Sequence, residues 1–115
     1  MDIQQLTEKM NRFVRSKGWY DQNSPRPQTP RNLAVSLMLE SAEVLEHFQW
    51  DPQVSTSVNP EPNSALEEEL ADVALYLLQL ASVLGIDLEQ AILRKLEKNY
   101  SRRWPASPER DKAAE

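Results

Sequence analysis

The placement of backbone breakers constrains the fold of this chain more than any other feature. It has eight Pro and only two Gly in 115 residues, and both collect in a few places. Pro25, Pro27 and Pro30 mark one loop, Pro52, Pro60 and Pro62 a second, and Pro105 and Pro108 a tail. The stretches between them lack Pro and are rich in Leu, Ala, Glu and Gln, which favour helix. The first predicted helix runs from about Asp2 to Ser16, with Ile3, Leu6, Met10, Phe13 and Val14 on one face. The second starts at a Thr29 cap with Pro30 in the first helical position and reaches about Trp50. The third opens at Ser64, paired with Glu67 in a capping box, and ends near Gly85. The fourth opens on a second such box, Asp87 with Gln90, and continues to about Ser101. Strand-like alternation is absent from the sequence. The expected fold is all-α, a four-helix bundle in one domain over 1–104, followed by a flexible tail at 105–115.

Charge and composition narrow the function. Thirteen Lys and Arg stand against 18 Asp and Glu, a formal charge of -5. A protein that coats nucleic acid needs surplus positive charge, so nucleic acid is not an expected partner. There is no Cys, hence no disulfide, thiolate metal site or cysteine nucleophile. The first residues are charged and lack the apolar core of a signal peptide, and no apolar run approaches the length of a membrane span. A cytoplasmic domain without membrane contacts is the expectation.

Two short acidic motifs carry the chemistry. The second helix contains Glu40-Ser-Ala-Glu43 and the third Glu69-Leu-Ala-Asp72, each a carboxylate pair at i, i+3. On a helical wheel Ser36, Glu43, His47 and Trp50 gather near Glu40, and leucines, alanines and other apolar residues fill most of the remaining circumference. The third helix repeats this, with Glu69, Asp72, Tyr76 and Gln79 on a narrow arc. A surface helix normally has a broad polar face. Here a thin acidic stripe lies in helices that are apolar nearly all round, and such carboxylates need protons or cations beside them. Either pair alone fits a solvated helix face; two pairs on the two most apolar helices favour metal ligands. Oxygen donors without thiolate suit Mg²⁺ or Mn²⁺. A di-iron carboxylate bundle needs Glu-x-x-His on two helices, and His47 is the only histidine.

The fourth helix is basic, with Arg94, Lys95, Lys98 and Arg102, then Arg103, against Glu97. That excess suits an anionic ligand bridging to a metal on the acids, although basic residues near a helix C-terminus also complement its dipole. Trp50 and Tyr76 stand at or beyond the ends of the acidic stripes and are candidates to sandwich a planar base.

In order, Gln28-Thr-Pro-Arg-Asn-Leu33, Glu40-Ser-Ala-Glu43 with its extension to Trp50, Glu68-Glu69-Leu-Ala-Asp72, Lys95-Leu-Glu-Lys-Asn99 and Trp104-Pro105 resemble the MazG-like all-α nucleoside triphosphate pyrophosphohydrolases, most of all the dCTP pyrophosphatase branch. The resemblance covers roughly residues 1 to 105. It implies Mg²⁺-dependent cleavage of a nucleoside triphosphate to the monophosphate and pyrophosphate, with Mn²⁺ as a substitute ion, in a homodimer or homotetramer. By the same resemblance Glu40, Glu43, Glu69 and Asp72 hold the metal. Trp50 and Tyr76 lie at the nucleotide, Lys95 and Asn99 contact phosphates or sugar, and Arg31 and Asn32 join them at the substrate. Glu40 and Glu43 are alternative general bases, and Lys95 stabilises the departing charge. Leu39 stands where the fuller pattern has another Glu, and Gln28-Thr29 where relatives usually have His-Gln; these departures bear on base preference rather than reaction class. The competing expectation is a non-catalytic helical dimerisation module, which accounts for the apolar helices but leaves the acidic stripes unexplained.

Overall fold

The computed structural model describes residues 1–50 and 63–102. Four α-helices and no strand occur among them: α1 (Ile3–Ser16), α2 (Pro30–Gln49), α3 (Ser64–Val83) and α4 (Leu88–Ser101). The expected tail, together with Arg103, Trp104 and the proline cluster at 52, 60 and 62, lies outside the described residues.

Each helix start is fixed by a side chain that takes an otherwise orphaned amide. Asp2 accepts from the Gln5 N–H at 2.8 Å while Gln5 Oε1 accepts from the Asp2 N–H at 2.9 Å, a full capping box. Thr29 Oγ1 accepts from Asn32, with Pro30 opening α2 as expected. The α3 cap is Asn63, accepting from Leu66 at 3.1 Å, and not Ser64 as the sequence suggested. Asp87 caps α4 through the Gln90 amide. At the end of α3, Gly85 adopts φ 70°, which lets Ile86 N–H reach Ala81 O at 2.9 Å and Gly85 N–H reach Ser82 O. This pair closes the helix, and a side chain at Gly85 would strain it. The chain then turns through 103° into α4.

α3 is the central element, packing against both α2 and α1, and α4 packs on α1. The core is small. Met10, Val14 and Leu78 form its centre, backed by Ile3, Trp19, Tyr20 and Leu88. A polar chain ties α1 to α3: Tyr20 Oη donates to Asn11 Oδ1 at 2.6 Å, and Asn11 Nδ2 donates to Ser82 Oγ at 3.0 Å. Against five buried apolar side chains, the outer faces of α2, α3 and α4 leave large ones open. Met38 is 70 % exposed, Leu45 66 % and Leu39 60 %, and Leu70, Leu77, Ile92, Leu93 and Leu96 are also exposed. Among the described residues no single helix is long and apolar enough to cross a membrane.

Candidate functional site

The i, i+3 spacing puts Glu40 beside Glu43 on α2 and Glu69 beside Asp72 on α3. Glu40 and Glu43, in the second half of α2, meet Glu69 in the first half of α3, so the two helices run antiparallel with their acidic stripes facing. One carboxylate oxygen from each of Glu40, Glu43 and Glu69 lies within 4.8 Å of the others. Desolvation first, then a hydrogen bond with Glu43 and the charges of Glu43, Asp72 and Glu69, raise the Glu40 pKa from its ordinary 4.5 to about 7. Glu69 is raised chiefly by its own hydrogen bond with Glu43, with desolvation and the Glu43 and Asp72 charges adding; His47 opposes them. Asp72 is thus close enough to act on both.

Whether a cation suits these groups can be judged from the donors themselves. Glu40 Oε2 and Glu69 Oε2 are buried without a hydrogen-bond partner, an expensive state for carboxylate oxygens. Ligand oxygens held at about 2.0–2.6 Å from one ion lie within roughly 4–5 Å of each other, and an all-carboxylate set is hard. Glu40, Glu43 and Glu69 therefore fit a hard divalent ion such as Mg²⁺ or Mn²⁺ in spacing and chemistry, and Asp72 adds a fourth carboxylate nearby.

Beside the acids opens a cavity of about 710 Å³. Asp72, Tyr76 and Gln79 line it from successive turns of α3, Asn32, Leu33 and Ser36 from α2, and Met10 and Phe13 from α1. The loop between α1 and α2 closes it with Trp19, Arg26 and Gln28. The Arg26 guanidinium stacks over the Trp19 ring at 4.8 Å, and Phe13 meets that ring edge-on with centroids 5.8 Å apart. Asn32 Nδ2 holds the loop by donating to Pro27 O at 2.9 Å. The cavity thus has one acid, Asp72, with aromatic rings and amide side chains in its lining, and it is in the size range of small-ligand sites.

The structure unites some of the expected residues and separates others. Glu40, Glu43, Glu69 and Asp72 converge, and Tyr76 and Asn32 line the adjacent cavity. Trp50 does not join them. It caps the C-terminus of α2, 85 % exposed, about 21 Å along the helix axis from Ser36 at the cavity. Because α2 and α3 are antiparallel, Trp50 and Tyr76 lie on opposite sides of the acids and cannot sandwich one base within a chain. Arg31 is exposed on the first turn of α2 and does not line the cavity. Lys95 and Asn99 sit on α4. With a 103° turn after α3 and 1.5 Å of rise per residue, Lys95 is about 20 Å from the carboxylates, beyond the reach of its side chain. Trp19, Arg26 and Gln79 were missed as cavity residues; the first two lie in a loop where no periodicity points to them.

The profile of the MazG-like family matches residues 35–114, and the chain belongs to that family. It is 40 % identical over 87 residues to dCTP pyrophosphatase 1 of Bos taurus, covering 73 % of this chain and 51 % of that protein. To dCTP pyrophosphatase 1 of Homo sapiens it is 41 % identical over 80 residues, covering 67 % of this chain and 46 % of that one. The chain therefore spans about half the length of these relatives. A crystal structure of a pyrophosphatase from Archaeoglobus fulgidus superposes with a TM-score of 0.70 at 39 % identity, covering 85 % of this chain and 88 % of its own.

Proposed function

We propose that this chain is a divalent-metal-dependent nucleoside triphosphate pyrophosphohydrolase that cleaves the α–β phosphoanhydride to yield a nucleoside monophosphate and pyrophosphate. The observation that carries the reading is the convergence of Glu40, Glu43 and Glu69, with Asp72 beside them and also in the lining of the aromatic cavity. The pyrophosphatase names of the relatives support it. Mg²⁺, or Mn²⁺ in its place, would be held by Glu40, Glu43, Glu69 and Asp72, supplying positive charge to the triphosphate oxygens and lowering the pKa of the attacking water. The chain's own groups do the rest. Glu40 or Glu43 takes the proton of that water. Tyr76 and Trp19 flank the base, and the cavity keeps bulk water from the anhydride.

Assembly belongs to the same reading. The open apolar faces of α2, α3 and α4 form a homodimer or homotetramer, and Lys95 and Asn99 reach the departing pyrophosphate from the α4 of a second copy. The compartment in this reading is the cytoplasm.

The test is an incubation with Mg²⁺ and each common ribo- and deoxyribonucleoside triphosphate, with products resolved. Monophosphate and pyrophosphate in equal amounts are expected. Diphosphate with orthophosphate, or no turnover of any nucleotide, refutes the proposal. A dimerisation module would in addition show no rise in Tm on adding Mg²⁺.

A further inference from the structure

At the floor of the cavity lies a polar pair that the acidic chemistry does not use. Gln79 is 4 % exposed, the one buried polar side chain among the described residues. Its Nε2 donates to Gln28 Oε1 at 2.7 Å, and Gln28 Nε2 donates to Arg26 O at 2.6 Å. These contacts assign both amides without ambiguity. A carbonyl cannot donate, so the Gln28 atom facing Arg26 O must be nitrogen; its oxygen then faces Gln79, which must answer with nitrogen. Gln79 is thereby denied the rotation that lets a free glutamine exchange donor for acceptor. No hydrogen bond within the described residues goes to its Oε1. Gln79 lies about 10 Å along α3 from Asp72, close to the reach of an extended nucleotide from its α-phosphate to its base edge.

We infer that Gln79, locked by Gln28, is the residue by which this chain selects its nucleobase, favouring an edge that projects an amino group over one that projects a carbonyl. The inference rests on the cavity being the nucleotide site. A cytosine or adenine edge donates its exocyclic amino group to Oε1, and the remaining N–H of Nε2 faces the neighbouring ring nitrogen. A uracil, thymine or guanine edge sets its carbonyl oxygen against Oε1 and leaves both acceptors unpaired in a buried place, the arrangement that gives polar sites their discrimination. Gln28 acts only through Gln79, as a positioning residue.

The experiment is kcat/KM for CTP, ATP, UTP and GTP in the parent, Gln79→Leu, Gln79→Met and Gln28→Leu, with Tm measured on each preparation. The parent is expected to favour CTP or ATP over UTP and GTP by tenfold or more. Gln79→Leu should lower the favoured values about tenfold through KM and leave those for UTP and GTP within about twofold, collapsing the ratio. Gln28→Leu should collapse the ratio while leaving kcat in place, an effect that a purely structural role would not produce. Gln79→Met, close to the parent in volume, gives the same reading should the Leu variant fail to fold. A folded Gln79 variant that keeps the parent's ratio overturns the inference, and so does a parent indifferent to the base; in both cases pyrophosphate release stands. A parent that hydrolyses no nucleotide fails the functional reading itself, and the inference falls with it.

Discussion

Removing Glu40's charge should stabilise the metal-free protein, and the pH dependence of that gain follows from the geometry. Folded Glu40 titrates at about 7 against an ordinary 4.5, pushed there by burial and by the charges of Glu43, Asp72 and Glu69. Between those values the folded chain keeps a proton that the unfolded chain has lost. Its stability therefore falls as pH rises through that window and levels off above it. Each pH unit of displacement weighs about 1.4 kcal/mol against the charged form; solvent reaching a half-buried site reduces the net effect to on the order of 1–2 kcal/mol. Glu40→Gln lacks this penalty, and its amide can still donate to Glu43. In EDTA at pH 8 the variant should melt roughly 5–10 °C above the parent, with the two converging near pH 4. Saturating Mg²⁺ should reverse the order, because a ligand bound only by the folded state stabilises the parent by about 2.7 kcal/mol at a hundred times Kd and the variant much less. Thermal melts at pH 4, 6 and 8, with EDTA or Mg²⁺, test all of this. A variant that melts below the parent in EDTA at pH 8, or gains as much from Mg²⁺, would refute the reasoning.

Glu43→Gln and Asp72→Asn are each expected to abolish pyrophosphate release without lowering metal-free Tm; activity within twofold of the parent would remove that carboxylate from the mechanism. Tyr76→Ala should raise KM about tenfold, since stacking on an aromatic ring is worth ~1–3 kcal/mol per base. Trp50→Ala should leave KM within about threefold, and steady-state kinetics on both variants decides between the two rings. Glu43→Gln and Lys95→Ala, each inactive alone, should recover up to about a quarter of parental activity when mixed and reassembled, because some assembled sites then carry neither lesion. Sedimentation of the parent as a 13 kDa monomer at micromolar concentration, with no recovery on mixing, would show that α4 of another copy supplies nothing.

Helix existence was legible because Pro and Gly confine themselves to the joints, and helix starts because Asp2, Thr29 and Asp87 each have an amide to accept from. α3 begins at Ser64 as expected, but its cap is the residue before, because Asn63 and Ser64 are adjacent capping residues and only the backbone decides which one faces the Leu66 amide. The acidic stripes were legible since i, i+3 spacing is local. A wheel, however, reports the angle around a helix and not the level along it. Trp50 shares an angular sector with Glu40 on α2, and Tyr76 one with Asp72 on α3, yet the antiparallel pairing sends the two rings to opposite ends of the cluster. The 103° turn that carries Lys95 away depends on where the Gly85–Asp87 joint aims α4, which no residue pattern encodes. The lock between Gln28 and Gln79 joins residues 51 positions apart, one of them in a loop, and nothing local could have found it.

The acids and the uncovered leucines are coupled parts of one arrangement. Three carboxylates at the α2–α3 seam repel one another, and the small core centres on Met10, Val14 and Leu78, between α1 and α3. Within the chain little apolar burial holds α2, since Leu33 is its one buried residue. Covering an exposed leucine contributes about 1.5–3 kcal/mol, so covering Leu39, Leu45 and Met38 on the outside of α2 would outweigh the repulsion estimated for Glu40. In the proposed assembly a second copy on that face would do more than complete the site with α4: it would brace α2 in the register that already brings Glu40 and Glu43 to Glu69.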